Sequence, residues 1–359
     1  MTMRIGRGPA ALLAGALGFA LVGCASNDAT APSAGGSASS GTAPAGQPDA
    51  NGDGKVVIGV LSPGDINDNG YYESFVIGAE KFATEKGWQV IKRGNVPPTE
   101  ALSAARALCQ QGVDMVALGA SELKDAIPAS EEPVCAKTSW YVPSSENIPQ
   151  TPRVTLSSDD PNQSMLAAGY ATGLVMQAKN ATKAGFVTGM EADFSVNAAK
   201  AYKAGIRMVV PNATLVTTYT GDFNDSAKAR EAVQAQISQG VKVVYPYLGG
   251  ATDAAAKLAN TGGALTLTPG TDRCDSTDPR FDISVIFDPG AYFAAALELF
   301  AKGEMTLGTT KKWELGKDPY PAVKICKPTP EQTQKMDAFV ADVASGKTDT
   351  AATVAKLGS

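Results

Sequence analysis

The side chains that could do chemistry in this sequence are few in kind, and histidine is absent: none of the 359 residues is His. That removes the commonest general base, the usual catalytic triads and most zinc sites. Neither a GxxxxGK[ST] loop nor a GxGxxG turn follows a candidate strand, so nucleotide hydrolysis and dinucleotide redox have no support. Asp159 and Asp160 could act as a paired acid and base, but they read as a solvated loop before a helix at Pro161. Asp49, Asn51 and Asp53 imitate the start of a calcium loop whose twelfth position is Val60, where a bidentate Glu is needed. The richest segment is Gly64 to Ser74, GDINDNGYYES. Its Asp and Asn side chains offer donors and acceptors, and a tyrosine offers a flat face for stacking; the same residues fit an Asx-turn capping the next helix. The chemistry this points to is recognition of a small polar molecule, with no catalytic residue, metal or cofactor.

The elements that must position this loop alternate between short apolar runs and helical segments, the pattern of parallel sheets covered on both faces. Val56 to Leu61 predicts a buried strand and Tyr71 to Lys86 a helix stopped at Gly87, with Phe75, Ile77, Ala79 and Phe82 at spacings compatible with a helix. The cycle continues with strand Val90 to Lys92, helix Thr99 to Gln111, strand Met115 to Leu118, a short helix from Glu122 and strand Trp140 to Val142. A second series runs from Arg153 to Leu156 through a helix after Pro161, strands at Gly185 to Thr188, Thr214 to Tyr219, Val241 to Tyr245 and Ala264 to Leu267, and the helices between them. We therefore expect two doubly wound, Rossmann-like α/β lobes, residues 55–152 and 153–277. Residues 278–359, with a strand at Ile283 to Ile286 and helices at Asp288 to Lys302 and Thr329 to Ala344, return to complete them across a multi-crossover hinge. Such lobes leave a cleft at the carboxyl ends of both sheets, where ligands bind.

Arg4 and Arg7 precede an apolar run from about Ala10 to Val22, short for a membrane span and typical of an export signal over residues 1–23. The run ends in Leu21-Val22-Gly23-Cys24, which resembles the bacterial lipobox and implies lipidation at Cys24. Residues 24–54 are mostly Ala, Ser, Gly, Pro and Thr, a composition that cannot offset the entropy of ordering, so they read as a tether. The expected location is the extracytoplasmic face of the cell membrane, held by lipid alone. Four further cysteines, Cys109, Cys135, Cys274 and Cys326, lack CxxC spacing and invite disulfides in an oxidising compartment. Three connectivities are open, and nearness in sequence favours Cys109 with Cys135 and Cys274 with Cys326. A net charge of −5 without a Lys/Arg cluster speaks against nucleic acid as a partner.

Gly64 to Ser74 resembles the corresponding loop of the basic membrane protein (BMP) family, the purine-nucleoside-binding lipoproteins of ABC importers, whose pattern is close to G-G-x-N-D-K-S-F-N-x-S. Leu166 to Gly173 is similar to that family's LAG-containing helix, and Gly185 to Met190 to its GFVGGM strand end. Tyr219 to Asp225 is similar to Y-V-G-S-F-N-D, and Gln239-Gly240 through Gly249-Gly250, with Gly270 to Asp272, to Q-G-x-D-V-I-F-x-x-x-G-G and G-V-D. The resemblance covers the chain after the tether. It implies a type I periplasmic-binding-protein fold, a monomer that delivers its ligand to an ABC permease and ATPase, and a nucleoside clamped between the lobes. By motif, Asp68 stands at the base edge beside Asn69 and Tyr72, Tyr71 is the first stacking ring, and Tyr245 the second with Phe223 in reserve. Asp272 would take the ribose hydroxyls, and Gly249 would allow close backbone approach. Departures are Phe287 where the family has Lys, Asn69 for Lys, Tyr72 for Asn, and Pro143 or Ser144 where the family has a base-contacting Asp. The alternatives this leaves are a sugar or another small metabolite as ligand, or a ligand sensor at the cell surface.

Overall fold

The computed structural model describes residues 46–143 and 147–359; the leader, Cys24, most of the tether and Ser144 lie outside them. In chain order the first part runs β1 (Val57–Leu61), α1 (Tyr71–Lys86), β2 (Gln89–Arg93), α2 (Ala101–Gln110), β3 (Met115–Leu118), a 3-10 stretch Ser121–Glu131, β4 (Ser139–Val142) and β5 (Val154–Asp159). The second continues with α3 (Pro161–Ala178), β6 (Lys183–Thr188), α4 (Asp193–Val209), β7 (Thr214–Tyr219), α5 (Ser226–Ser238), β8 (Val243–Tyr247), α6 (Thr252–Thr261), β9 (Leu265–Gly270) and β10 (Ile283–Ile286). The remainder is α7 (Pro289–Ala301), β11 (Thr310–Trp313), β12 (Ala322–Ile325), α8 (Pro330–Ala344) and α9 (Thr350–Leu357).

Two six-stranded sheets result, in the orders β11-β5-β4-β3-β1-β2 and β12-β10-β9-β8-β6-β7. Every pairing is parallel except β10 with β12. The inner strands β1, β3 and β4 are buried apolar runs, as a parallel sheet with helices on both faces requires.

The sheet orders move the expected lobe boundary. The strand expected to open the second lobe at residue 153 is β5, and it pairs with β4 in the first sheet, Trp140 opposite Val154. The chain crosses only after β5, into α3; it returns from β10 into α7, which packs Phe293 against Phe75 of α1 at a ring separation of 4.6 Å. It crosses a third time between β11 and β12. Both crossover helices open alike: Asp160 accepts from Asn162 N before Pro161, and Asp288 accepts from Gly290 N and Ala291 N before Pro289. Each Pro occupies the first helical turn, where no intrahelical donor is missed.

The tether also ends earlier than its composition suggests. Gly46 N donates to Ser139 Oγ at 2.7 Å, Asn51 Nδ2 donates to Gly112 O at 2.8 Å, and Ala50 is buried. Backbone groups and one small side chain hold residues 46–54 to the first lobe, a form of binding that hydropathy does not register. Asp49, Asn51 and Asp53 turn their oxygens to the backbone N–H groups of Gly54, Asp53 and Lys55. Among the described residues no group of three or more His, Cys, Asp or Glu is placed to hold a metal. Disulfides join Cys109 to Cys135 and Cys274 to Cys326, each within one lobe.

In the second lobe α3 and α4 approach closely enough that glycine is required at their crossing. A Cβ on Gly169 would lie 2.0 Å from Tyr202 O, and one on Gly205 2.0 Å from Leu166 O. Backbone cannot yield as a flexible side chain does, so Gly169→Ala is expected to destabilise the chain by about 2–3 kcal/mol, measured as a lowered midpoint in urea unfolding; an unchanged midpoint would show that the helices can separate freely.

Candidate functional site

A cavity of about 200 Å³ lies between the lobes. Its walls are strand ends: Ala120 to Glu122 follow β3, Ser158 and Asp159 end β5, Tyr247 to Gly249 end β8, and Phe287 follows β10. Strand order reverses between β1 and β3 in one sheet and between β6 and β8 in the other. Beyond those four strand ends stand Tyr71 and Tyr72 at the start of α1, Ser121 and Glu122, Phe194 at the start of α4, and Tyr247 to Gly249 at the end of β8, all on the cavity wall. This is the switch-point position at which doubly wound sheets take ligands.

The loop after β1 is built around Asp68. Its buried carboxylate accepts from Gly70 N (2.9 Å), Glu73 N (3.1 Å) and Tyr72 N (3.4 Å), taking up donors that the first turn of α1 leaves unpaired. Asp68 therefore sets the start of the helix that carries both tyrosines and does not itself line the cavity. Asn69 occupies the left-handed region at φ 50° with its N–H on Glu73 Oε2; it is exposed and also off the wall. Ser74, one turn on, donates from its hydroxyl to Asp288 Oδ1, joining α1 to the cap of α7.

Six aromatic rings line the cavity: Tyr71, Tyr72, Phe194, Phe223, Tyr247 and Phe287. Phe287 stands 6.3 Å from Tyr71 and 6.3 Å from Tyr247, linking the ring of one lobe to that of the other. Phe194 and Phe223 stack at 5.9 Å. Tyr245, expected as the second stacking ring, is fully buried behind the sheet against Phe186 and Tyr202. β8 runs on through Pro246 to Tyr247, and with a side-chain period of two Tyr247 takes the same face about 7 Å nearer the cleft. Tyr247 therefore stands where Tyr245 was expected.

Asp272 is likewise away from the cavity wall. It accepts from Lys324 Nζ at 2.6 Å and from Cys274 N at 3.2 Å. Partial burial opposes its ionisation, but these partners hold its pKa below the ordinary carboxylate value. Gly249 does line the cavity, but its missing Cβ makes room for Asn224 Oδ1, 2.9 Å from where that atom would sit. The acids on the wall are Glu122 and Asp159. Glu122 accepts from the Tyr72 and Ser121 hydroxyls, both at 3.4 Å, and Asp159 from the Ser164 hydroxyl at 3.4 Å. Their charge is felt across the cavity: burial first, and then Asp159 and Glu122, push the Tyr247 hydroxyl pKa upward. Burial, then Glu122, does the same to Tyr72. Motif comparison missed Glu122, Asp159, Phe194 and Tyr247; Asp159 and Tyr247 end their strands, and Glu122 and Phe194 open the helical segments that follow β3 and β6, the positional signal that could have found them.

A sequence model of the family described as "ABC transporter substrate-binding protein PnrA-like" matches residues 55–336. The ABC transporter nucleoside-binding protein BmpA of Lactococcus lactis is 33% identical over 97 residues, a segment spanning 27% of this chain and 27% of that relative. An ABC transporter solute-binding protein from Conexibacter woesei superposes with a TM-score of 0.63 at 21% identity, over 82% of this chain and 97% of its own. Another from Aeropyrum pernix gives 0.65 at 18% identity, over 84% and 90%. At those identities the two structures establish the fold, the type I periplasmic-binding-protein architecture.

Removing the Asp68 acceptors by Asp68→Ala should cost about 1–2 kcal/mol, the range for losing a helix cap, read by urea unfolding. Burial raises the Asp68 pKa above its ordinary 3.8, with the backbone N–H bonds to Glu73, Gly70 and Tyr72 opposing. A carboxyl raised on folding favours the fold while protonated; that contribution is complete below pH 3.8 and is lost as pH climbs through the folded value. Measured against Asp68→Asn, which does not titrate, the wild-type chain should lose stability as pH rises from 3.8; a parallel pair of profiles would count against this account.

Proposed function

This chain belongs to the Bmp family of PnrA-like ABC transporter substrate-binding proteins, and on that premise we propose that it captures a nucleoside, purine nucleosides foremost, in the cavity between its lobes. The observation that carries the reading is the set of six rings on that wall, contributed by both lobes and by the crossover residue Phe287. A heterocycle entering there meets flat apolar faces on several sides, and stacking accepts any base because every base has a π-face. Glu122, Asp159 and Ser158 supply acceptors for ring N–H or sugar hydroxyls. The kinship with a nucleoside-binding relative over 97 residues supports the same ligand class.

In this reading the protein binds and releases without chemistry, outside the cytoplasm, and hands its ligand to a permease and ATPase. The sequence around Cys24 supports a lipid anchor, and among the described residues no helix is long and apolar enough to cross a membrane. Lobe closure about the three crossovers is the motion the architecture favours.

The test is calorimetric titration of the purified chain with adenosine, guanosine, inosine, ribose and glucose. Purine nucleosides should bind, and Tyr247→Ala and Tyr71→Ala should each weaken them by about 5- to 100-fold, the loss of one stacking face. Tyr245→Ala should unfold the chain more easily. Binding of glucose or ribose without any nucleoside would overturn the reading.

A further inference from the structure

We propose that Glu122 selects guanosine among the nucleosides the cavity admits, by accepting two adjacent N–H donors of the guanine edge on its two carboxylate oxygens. The inference rests on the nucleoside-binding reading above and narrows it. Stacking on the rings of the wall cannot choose a base, because every base has a π-face; the choice falls to polar groups at the rim of the ring cluster. Glu122 is attached to that cluster. It follows β3 in the stretch Ser121–Glu131, stands half-buried on the cavity wall, and its Oε1 accepts from the Tyr72 hydroxyl at 3.4 Å. Tyr72 in turn meets Tyr71 edge to face at 5.5 Å. The Tyr72 ring is seated over Gly64, where a Cβ would lie 2.3 Å from Cε2, so the hydroxyl that touches the acid is held against the loop after β1.

The acid keeps most of its accepting capacity. A carboxylate has about four lone-pair sites; among the described residues Oε1 holds the Tyr72 hydroxyl and Oε2 that of Ser121, also at 3.4 Å. Both bonds are longer than the ~2.7 Å usual between a hydroxyl and an oxygen, so neither competes strongly with an incoming donor. The Tyr72 hydroxyl, its pKa raised by burial and then by Glu122, stays protonated and leaves the acid an acceptor. Two oxygens side by side match two parallel N–H groups, the geometry by which carboxylates take a guanidinium fork. Guanine alone among the common nucleoside bases offers that pair, N1–H beside the 2-amino group. Hypoxanthine offers N1–H only, and uracil sets its single N–H between two carbonyls. Adenine and cytosine place a ring-nitrogen lone pair next to the amine, so an acceptor would face one carboxylate oxygen. A desolvated carboxylate left without donors is the kind of mismatch through which polar sites discriminate most strongly.

Calorimetry on the full chain with guanosine, inosine, 1-methylguanosine and adenosine varies those donors at nearly constant size. Guanosine should bind at least about tenfold more tightly than each of the others, the effect of one charge-assisted hydrogen bond or more. Glu122→Gln exchanges one acceptor for a donor, which suits the amine and N1 of adenine, so the guanosine-to-adenosine affinity ratio should fall by at least about tenfold. That ratio, taken within one variant, is insensitive to how much of the preparation is folded. Inosine or adenosine binding the wild-type chain as tightly as guanosine would overturn the selection and leave the nucleoside reading standing. A guanosine preference unchanged in Glu122→Gln, even with all four bound more weakly, would take the acid off the base edge and overturn its role. Failure of all four to bind would remove both readings together.

Discussion

Parallel pairing is the constraint from which the rest of this molecule follows. A parallel pair cannot be closed by a hairpin, so each strand must be reached through a crossover, and all strands of a sheet end at one edge. With two such sheets in one chain, the connection from lobe to lobe leaves from those same edges. The chain uses one local device for the first two transfers: a strand end, an aspartate that caps, and a proline in the first helical turn. The residue before each aspartate, Asp159 in one case and Phe287 in the other, faces the cavity. The joints between the lobes and the walls of the site are therefore built from neighbouring residues, and Ser74, bonded to Asp288, ties the tyrosine-bearing helix to one of those joints.

The site combines apolar rings with half-buried carboxylates. Rings from both lobes provide flat apolar faces, and Glu122 and Asp159 place acceptors beside them. Asp68 belongs to neither group. It lies behind the wall, where three backbone donors fix the start of α1, and its effect on a ligand passes through the placement of Tyr71 and Tyr72. Asp272, which motif comparison places in the same class, is held by Lys324 of β12, 52 residues away in sequence and brought near through the pairing of β12 with β10.

Much of this was legible in the sequence where the physics is local. The helix at Tyr71–Lys86 is spelled out by its apolar spacing and by Gly87, whose φ of 72° and N–H bonds to Ala83 O and Thr84 O end it. The two-lobed α/β class follows from the alternation of runs. What could not be read depends on partners. β11 and β12 are four residues each, carry lysines at 311, 312 and 324, and sit at sheet edges, where a strand has a neighbour on one side only and needs no apolar run. Lobe membership of β5 is decided by pairing with β4, which sequence continuity does not encode. Tyr245 and Tyr247 look alike along the chain; Pro246 between them suggests a strand end that the fold does not make, because the strand continues with Pro246 opposite Val187.

The fastening of residues 46–54 bears on how the molecule carries force. Gly46 is bonded to Ser139 at the start of a central strand of the first sheet, and Asn51 to the turn at Gly112. A pull on the chain upstream of Gly46 would therefore enter the molecule through the first lobe, at Ser139 and beside Met305, and not through the second.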